Sequence, residues 1–260
     1  MSLSQSLVIQ LLGRGESGDI RDADLDAFLK APGLWRKSAA AAAPFTLESA
    51  QAFWQGVWDE LGIKVEVPPV PKLTDKQVKS LEKFGFLLVY VPAITEEQYP
   101  TSFVKPRWFN GAERMPLVGK WVAVETIAKP HWDDLKGYVD DRLMAAIKCE
   151  KRFNVRQDDL TGGLLAKIAK STGFPKRGTR IPSAEEWNLI GNLFNWLRNH
   201  RQMDLPDLGS TRSWEWCSNA CGSEFRLIAG SSDGGGLADV GSDWRDGRSG
   251  CLAFRVLADL

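Results

Sequence analysis

Histidine is nearly absent from this chain, His131 and His200 being the only two in 260 residues. That excludes a three-histidine metal centre and an H-E-x-x-H helix. The four cysteines, Cys149, Cys217, Cys221 and Cys251, contain no C-x-x-C pair, so a structural zinc site is not expected. An excess of one charge is also lacking: 33 Lys and Arg balance 33 Asp and Glu. No global field therefore draws the chain to nucleic acid or to a membrane surface, and neither is an expected partner. No apolar run approaches the roughly 20 residues that a membrane-crossing helix needs. The opening MSLSQSLVIQLLGRG has no basic segment followed by an apolar one, so no secretory leader is expected. The expected address is the cytoplasm, with thiols reduced.

What the chain does have is apolar mass. With 43% hydrophobic residues, 11 Trp and 12 Phe, it can bury a substantial core. The N-terminal third reads as helical, with apolar residues at helical spacing in Leu7–Leu12 and Asp24–Leu29. Residues 13–18, GRGESG, formally match G-x-G-x-x-G. They join two helical segments rather than a strand and a helix, so they read as a turn and not a nucleotide loop. Alanines 39–43 before Pro44 look like a linker. The next helix is expected to start at Thr46, to put Trp54, Val57, Trp58 and Leu61 on one stripe, and to stop at Gly62. Val65–Lys72, VEVPPVPK, is stiff and non-helical and marks the expected boundary. A helical region and linker would then occupy 1–72, and a second domain 73–260.

Beyond that boundary the local signals sharpen. Thr74 and Gln77 form a capping box ahead of Val78, Leu81 and Phe84, with Gly85 as the stop. Phe86–Val91 reads as a buried strand ended by Pro92, and Trp121–Thr126 as another. Thr95 and Gln98 repeat the box pattern. His131, in KPHWDD, reads as part of a solvated turn. Ser183 and Glu186 box the start of a helix whose stripe is Trp187, Ile190, Phe194 and Leu197. Toward the end, Phe225–Ala229 and Cys251–Leu257 are strand-like and bracket a loop of about twenty residues rich in Gly, Ser and Asp. Loops of that length inside a compact domain are functional or disordered. The order of helices, strands and long loops gives an α+β fold.

Four motifs occur in order over the last eighty or so residues: RIPSAEEWN (180–188), SWEWCSN (213–219), FRLIAG (225–230) and LAFRVL (252–257). Together they resemble the signatures of the formylglycine-generating-enzyme branch of the C-type lectin fold, which implies a lectin-fold domain over 73–260. The oxidase enzymes of that branch hold copper on two cysteines after the third motif, where this chain has only Cys251. Its sulfoxide-synthase relatives need several histidines, which this chain does not supply. The chain also resembles the variable proteins of diversity-generating retroelements, whose C-terminal lectin-fold segment is rewritten at template adenines. Rewritten Asn codons never yield Lys, Glu, Gln, Met or Trp. From Leu227 to Leu260 there is no Lys, Glu, Gln or Met, and the one Trp would be fixed scaffold.

The resemblance implies a non-enzymatic, cofactor-free binding protein for a protein or other macromolecular ligand, variable over about 210–255. The expected display positions are Ser231, Gly234, Asp239, Gly241, Ser242, Asp243, Arg245, Arg248, Ser249 and Gly250. The expected scaffold of the site is Trp214, Trp216, Gly235, Gly236, Trp244, Phe254 and Arg255, with Trp244 as a large buried anchor. Two other readings stand beside this one. The first is an oxidase with a departed cysteine arrangement. The second is a carbohydrate lectin, for which no E-P-N, Q-P-D or W-N-D triplet is present.

Overall fold

The run Phe86–Val91 (β1) is buried along its whole length, as a strand covered on both faces must be. In the computed structural model, which describes residues 46–134 and 137–260, it pairs antiparallel with Lys120–Glu125 (β2), from Phe86 opposite Glu125 to Val91 opposite Lys120. The first sheet runs β1-β2-β8-β3, closed by Leu257–Asp259 (β8) and the short Thr179–Arg180 (β3). The second runs β6-β5-β4-β7: Val240–Trp244 (β6), Phe225–Ala229 (β5), Trp214–Cys221 (β4) and Leu252–Ala253 (β7). All pairs are antiparallel except β4 with β7. The fold is α+β.

The longer helices among the described residues include Ala50–Glu60 (α1), Asp75–Phe84 (α2), Arg142–Ala146 (α3), Leu165–Thr172 (α4) and Ala184–Arg201 (α5). The Thr74 box is made in both directions, and Gly85, at φ 67°, ends α2 in the left-handed conformation that glycine adopts without strain. At α1 the structure departs from expectation by one turn. Thr46 and Ser49 form a turn through Thr46 N–H and Ser49 Oγ at 2.8 Å, and the helix begins at Ala50. Trp54, Val57 and Trp58 are buried on its inner face. None of the helices among the described residues is long and apolar enough to cross a membrane.

The segment 65–72 is non-helical, as its prolines require, but it is tied to α1. Gln55 Nε2 donates to Val65 O, Val67 N–H donates to Gln55 Oε1, and Gln51 Nε2 donates to Val67 O. Trp54 Nε1 in turn donates to Leu88 O of β1 at 2.8 Å. A unit running from Phe45 to Leu260 therefore contains the expected 72/73 boundary within it. The helices expected at Leu7–Leu12 and Asp24–Leu29, the turn at 13–18 and the linker at 39–43 lie outside the described residues.

The C-terminal expectation needs correction. Cys251–Leu257 is not one strand, because Leu252–Ala253 joins the second sheet and Leu257–Asp259 the first. Phe254, Arg255 and Val256 cross between the two sheets, fully buried. The bracketed loop is also more ordered than a structureless loop, since it contains a 3-10 turn at Gly236–Ala238 and the edge strand β6.

Candidate functional site

Three of the four C-terminal motifs meet through ion pairs and the hydrogen bonds around them. Arg180 forks onto Glu186 (2.6 and 2.7 Å) and Asp259 (2.7 and 3.0 Å), joining the start of α5 to the last strand. Ser183 Oγ accepts from Glu186 N–H while Glu186 Oε2 accepts from Ser183 N–H, the reciprocal box that the sequence predicts. Three residues of β4 between Trp216 and Ala220 oppose a single residue of β5, a bulge that aims Asn219 at the helix start. Asn219 Oδ1 accepts from Ala184 N–H at 2.7 Å, and its Nδ2 donates to Glu185 at 2.9 Å.

At the centre, Glu215 accepts from Arg255 (3.0 and 3.2 Å) and from Trp187 Nε1 (2.7 Å). Burial works to raise the Glu215 carboxyl, but the Arg255 and Lys129 charges and the Trp187 bond outweigh it and hold it below its usual range. Lys129, which the sequence reading did not single out, is buried over the Trp187 ring. Its Nζ donates to Ser213 O at 2.8 Å and to Gly230 O at 2.7 Å, where the loop leaves the sheet. Gly230 sits at φ 97°, and a Cβ there would meet the Trp187 ring, so the close approach and the turn both require glycine. A second pairing, Arg152 with Glu125 and Asp141, supports the crossing from the other side and donates to Phe254 O.

Above this frame, Ser242, Arg245, Arg248 and Gly250 are exposed, and Gly241, Asp243 and Ser249 half-exposed. Arg245 and Arg248 are not free anchors: they face Asp158 at 3.8 Å and Asp159 at 3.5 Å. Ser231, Gly234, Ser249 and Gly250 come together in one groove walled by Trp132, Arg212 and Trp214. Arg212 also pairs with Asp133 and lies over the Trp132 ring.

Three of the expected assignments are corrected by this geometry. Ser231 is buried; its hydroxyl donates to Arg212 O, and its carbonyl accepts from Gly234 and Gly236 N–H to shape the turn. Asp239 is half-buried against Gly234, with Oδ2 unpartnered among the described residues. Burial raises its carboxyl despite Arg107 and Lys129. Trp244 is 49% exposed, its ring lying 4.1 Å from that of Phe225. It ends an edge strand, where only β5 is beside it. Gly235, an expected scaffold glycine, is exposed at φ 121° with Arg107 beside it, whereas Gly236 is buried against Gly209. Trp216, Phe254 and Arg255 are buried, and Trp214 is half-buried.

With this geometry in hand, comparison with solved structures gives likenesses to the chain. The chain is similar to Treponema denticola variable protein 1. The identity is 9%, over 67% of this chain and 95% of that one, with a TM-score of 0.39. The likeness is loose. No protein-family model matches the chain, and no curated protein matches it by sequence.

Arg107 and Trp132 were also missed by the sequence reading. Arg107 braces the loop, donating from its backbone to Ala238 O at 2.8 Å and from Nη2 to Gly234 O. Both residues sit in long irregular stretches without periodicity, where sequence offers no facing partner to point at them. His131 is exposed in a turn, as expected. Cys217 and Cys221 lie on β4. Among the described residues no three His, Cys, Asp or Glu side chains are gathered to hold a metal.

Proposed function

We propose that the chain is a non-enzymatic ligand-binding protein. In this reading it is a C-type lectin fold of the formylglycine-generating-enzyme subtype, and a diversity-generating retroelement rewrites its C-terminal surface. The observation that carries the proposal is the separation of frame from display. Glu215, Arg255, Trp187 and Lys129 form a buried frame at the base of the loop, while Ser242, Arg245, Arg248 and Gly250 project from it with no share in the core. A surface that must accept many side chains needs that separation, because exposed substitutions change stability little. The ligand is an unidentified protein or other macromolecule, and no cofactor is invoked.

The Cys217 thiol does not suit the oxidase reading. Burial, together with the Glu215, Glu185 and Glu186 charges, pushes the Cys217 thiol well above its usual range, whereas reactive cysteines are depressed. Sequencing of the surrounding DNA tests the proposal. The expected result is a neighbouring reverse transcriptase and a repeat matching the codons of residues 210–255, with mismatches confined to template adenines. Mismatches scattered over all four bases, or the absence of any repeat, would sink it.

A further inference from the structure

Tyr99 is only 6% exposed, and its hydroxyl has no hydrogen-bond partner among the described residues. An unpaired buried hydroxyl is costly and needs an explanation. Tyr99 lines an open groove with Met115, Leu117 and the carboxylates of Glu96, Glu97 and Glu185, a groove that shares no residue with the 230–251 loop. Burial raises the phenol, and the Glu96 and Glu185 charges add to the rise, so both carboxylates act at the hydroxyl. Two of the three carboxylates are fixed by the fold, while Glu97 is exposed. Glu185 accepts from Met115 N–H at 2.7 Å and from Asn219 Nδ2 at 2.9 Å, and Glu96 accepts from Trp108 Nε1 at 2.5 Å.

Two cations lie nearby without cancelling this charge. Arg114 lines the groove with its guanidinium over the Trp108 ring at 5.0 Å, and Lys105 acts on Glu97 from outside the lining. The lining therefore holds three carboxylates against one guanidinium. Its apolar part is open to solvent, Met115 being 40% exposed. An aliphatic stem ending in a cation matches both halves of this lining.

We propose that the groove is a second recognition site, for a basic side chain of a protein partner. The stem would lie on Met115 and Leu117, and the head would donate to Glu96, Glu97 and the Tyr99 hydroxyl oxygen. Because the site lies outside the loop, rewriting the loop leaves it intact, and its failure would leave the proposed display function untouched.

Methionine-methyl NMR tests the proposal on the full chain, since Met144 and Met203 are buried elsewhere and serve as controls. The probes are the blocked tripeptide acetyl-Leu-Arg-Leu-amide and its neutral citrulline counterpart. The Met115 methyl is expected to shift saturably with the arginine peptide and about tenfold more weakly with citrulline, while Met144 and Met203 stay still. Glu96→Gln with Glu97→Gln keeps the acceptor for Trp108 and is expected to weaken binding about tenfold. Tyr99→Phe removes the unpaired hydroxyl, so it is expected to fold at least as stably yet bind the peptide less well. Several outcomes would overturn the site: no saturable Met115 shift, equal binding of the citrulline peptide, shifts spread to Met144, or full binding by either variant.

Discussion

Arg255 grips Glu215 through two hydrogen bonds, Nη2 to Oε1 at 3.0 Å and Nε to Oε2 at 3.2 Å, with both side chains essentially removed from solvent. The remaining guanidinium nitrogen donates to Glu125 O and Ile127 O. The pair therefore fastens the crossing between β7 and β8 to the start of β4, which are the two ends of the segment carrying the loop. Its partner Trp187 comes from α5, so a single carboxylate joins three of the four C-terminal motifs.

Removing that carboxylate is the first test of the frame. Glu215→Ala leaves Arg255 buried without its counter-charge, a change that costs roughly 3–5 kcal/mol in comparable sites. Urea unfolding is expected to show a loss of that size. A loss below about 1 kcal/mol would mean that Arg255 finds water or another acceptor, and that the pair does not hold the loop base.

Acid should dissolve the same frame. Glu215, Glu186 and Asp259 all titrate below their usual ranges: burial works to raise each, and Arg255 in the first case and Arg180 in the others outweigh it. A carboxyl depressed in the fold contributes stability that is complete above its unfolded value and is lost as pH falls through the folded value. Stability is therefore expected to hold from neutral pH down to about pH 4.5, the usual glutamate value, and to fall steeply below it. Glu186→Gln should start lower and fall less. Parallel pH profiles for the two proteins would contradict this.

How much of this was legible in the sequence follows from the range of the signals. Capping boxes are local, and those at Thr74 and Ser183 form as their spacing dictates. Stripes such as Trp187, Ile190, Phe194 and Leu197 bury because a single helix face decides them. Sheet membership is not local. LAFRVL looks like one strand, yet its ends join different sheets, which no period within the segment encodes. Trp244 misled for a related reason: a large aromatic predicts burial only when something lies opposite, and an edge strand has one open side. Lys129 was invisible because its partners are two backbone carbonyls 84 and 101 residues away.

Lys129 makes its own pH prediction, of opposite sense to the carboxylates. Burial lowers its ammonium to about 8, despite the pull of Glu215. The neutral amine still has two N–H donors for Ser213 O and Gly230 O, so losing the proton keeps both bonds. Between the folded value and the usual 10.5, the unfolded chain holds more protons than the folded one, and stability must rise with pH. Urea unfolding from pH 8 to pH 10 is expected to show that rise relative to Lys129→Met. If the difference between the two proteins stays flat across the window, the folded lysine keeps its proton as the unfolded one does, and burial does not depress it.

The sharpest test separates display from frame within the loop. Ser242, Arg245 and Arg248 are exposed, and a Cβ at Gly250 meets nothing within 4 Å. Tyrosine at any of the first three, or alanine at Gly250, should change stability by no more than about 0.5 kcal/mol. Asp239 and Gly234 should behave differently. A Cβ at Gly234 would collide with the Asp239 carboxylate, so Gly234→Ala or Asp239→Tyr forces the turn to move and should cost about 1–3 kcal/mol. Phe254→Ala empties a fully buried site and should cost roughly 3–5 kcal/mol, whereas half-exposed Trp244 should lose only about 1 kcal/mol on truncation. Thermal melts of the set would order these positions. If Ser242, Arg245 and Arg248 prove as sensitive as Phe254, the loop is part of the core, and no mechanism that rewrites it could leave a folded protein.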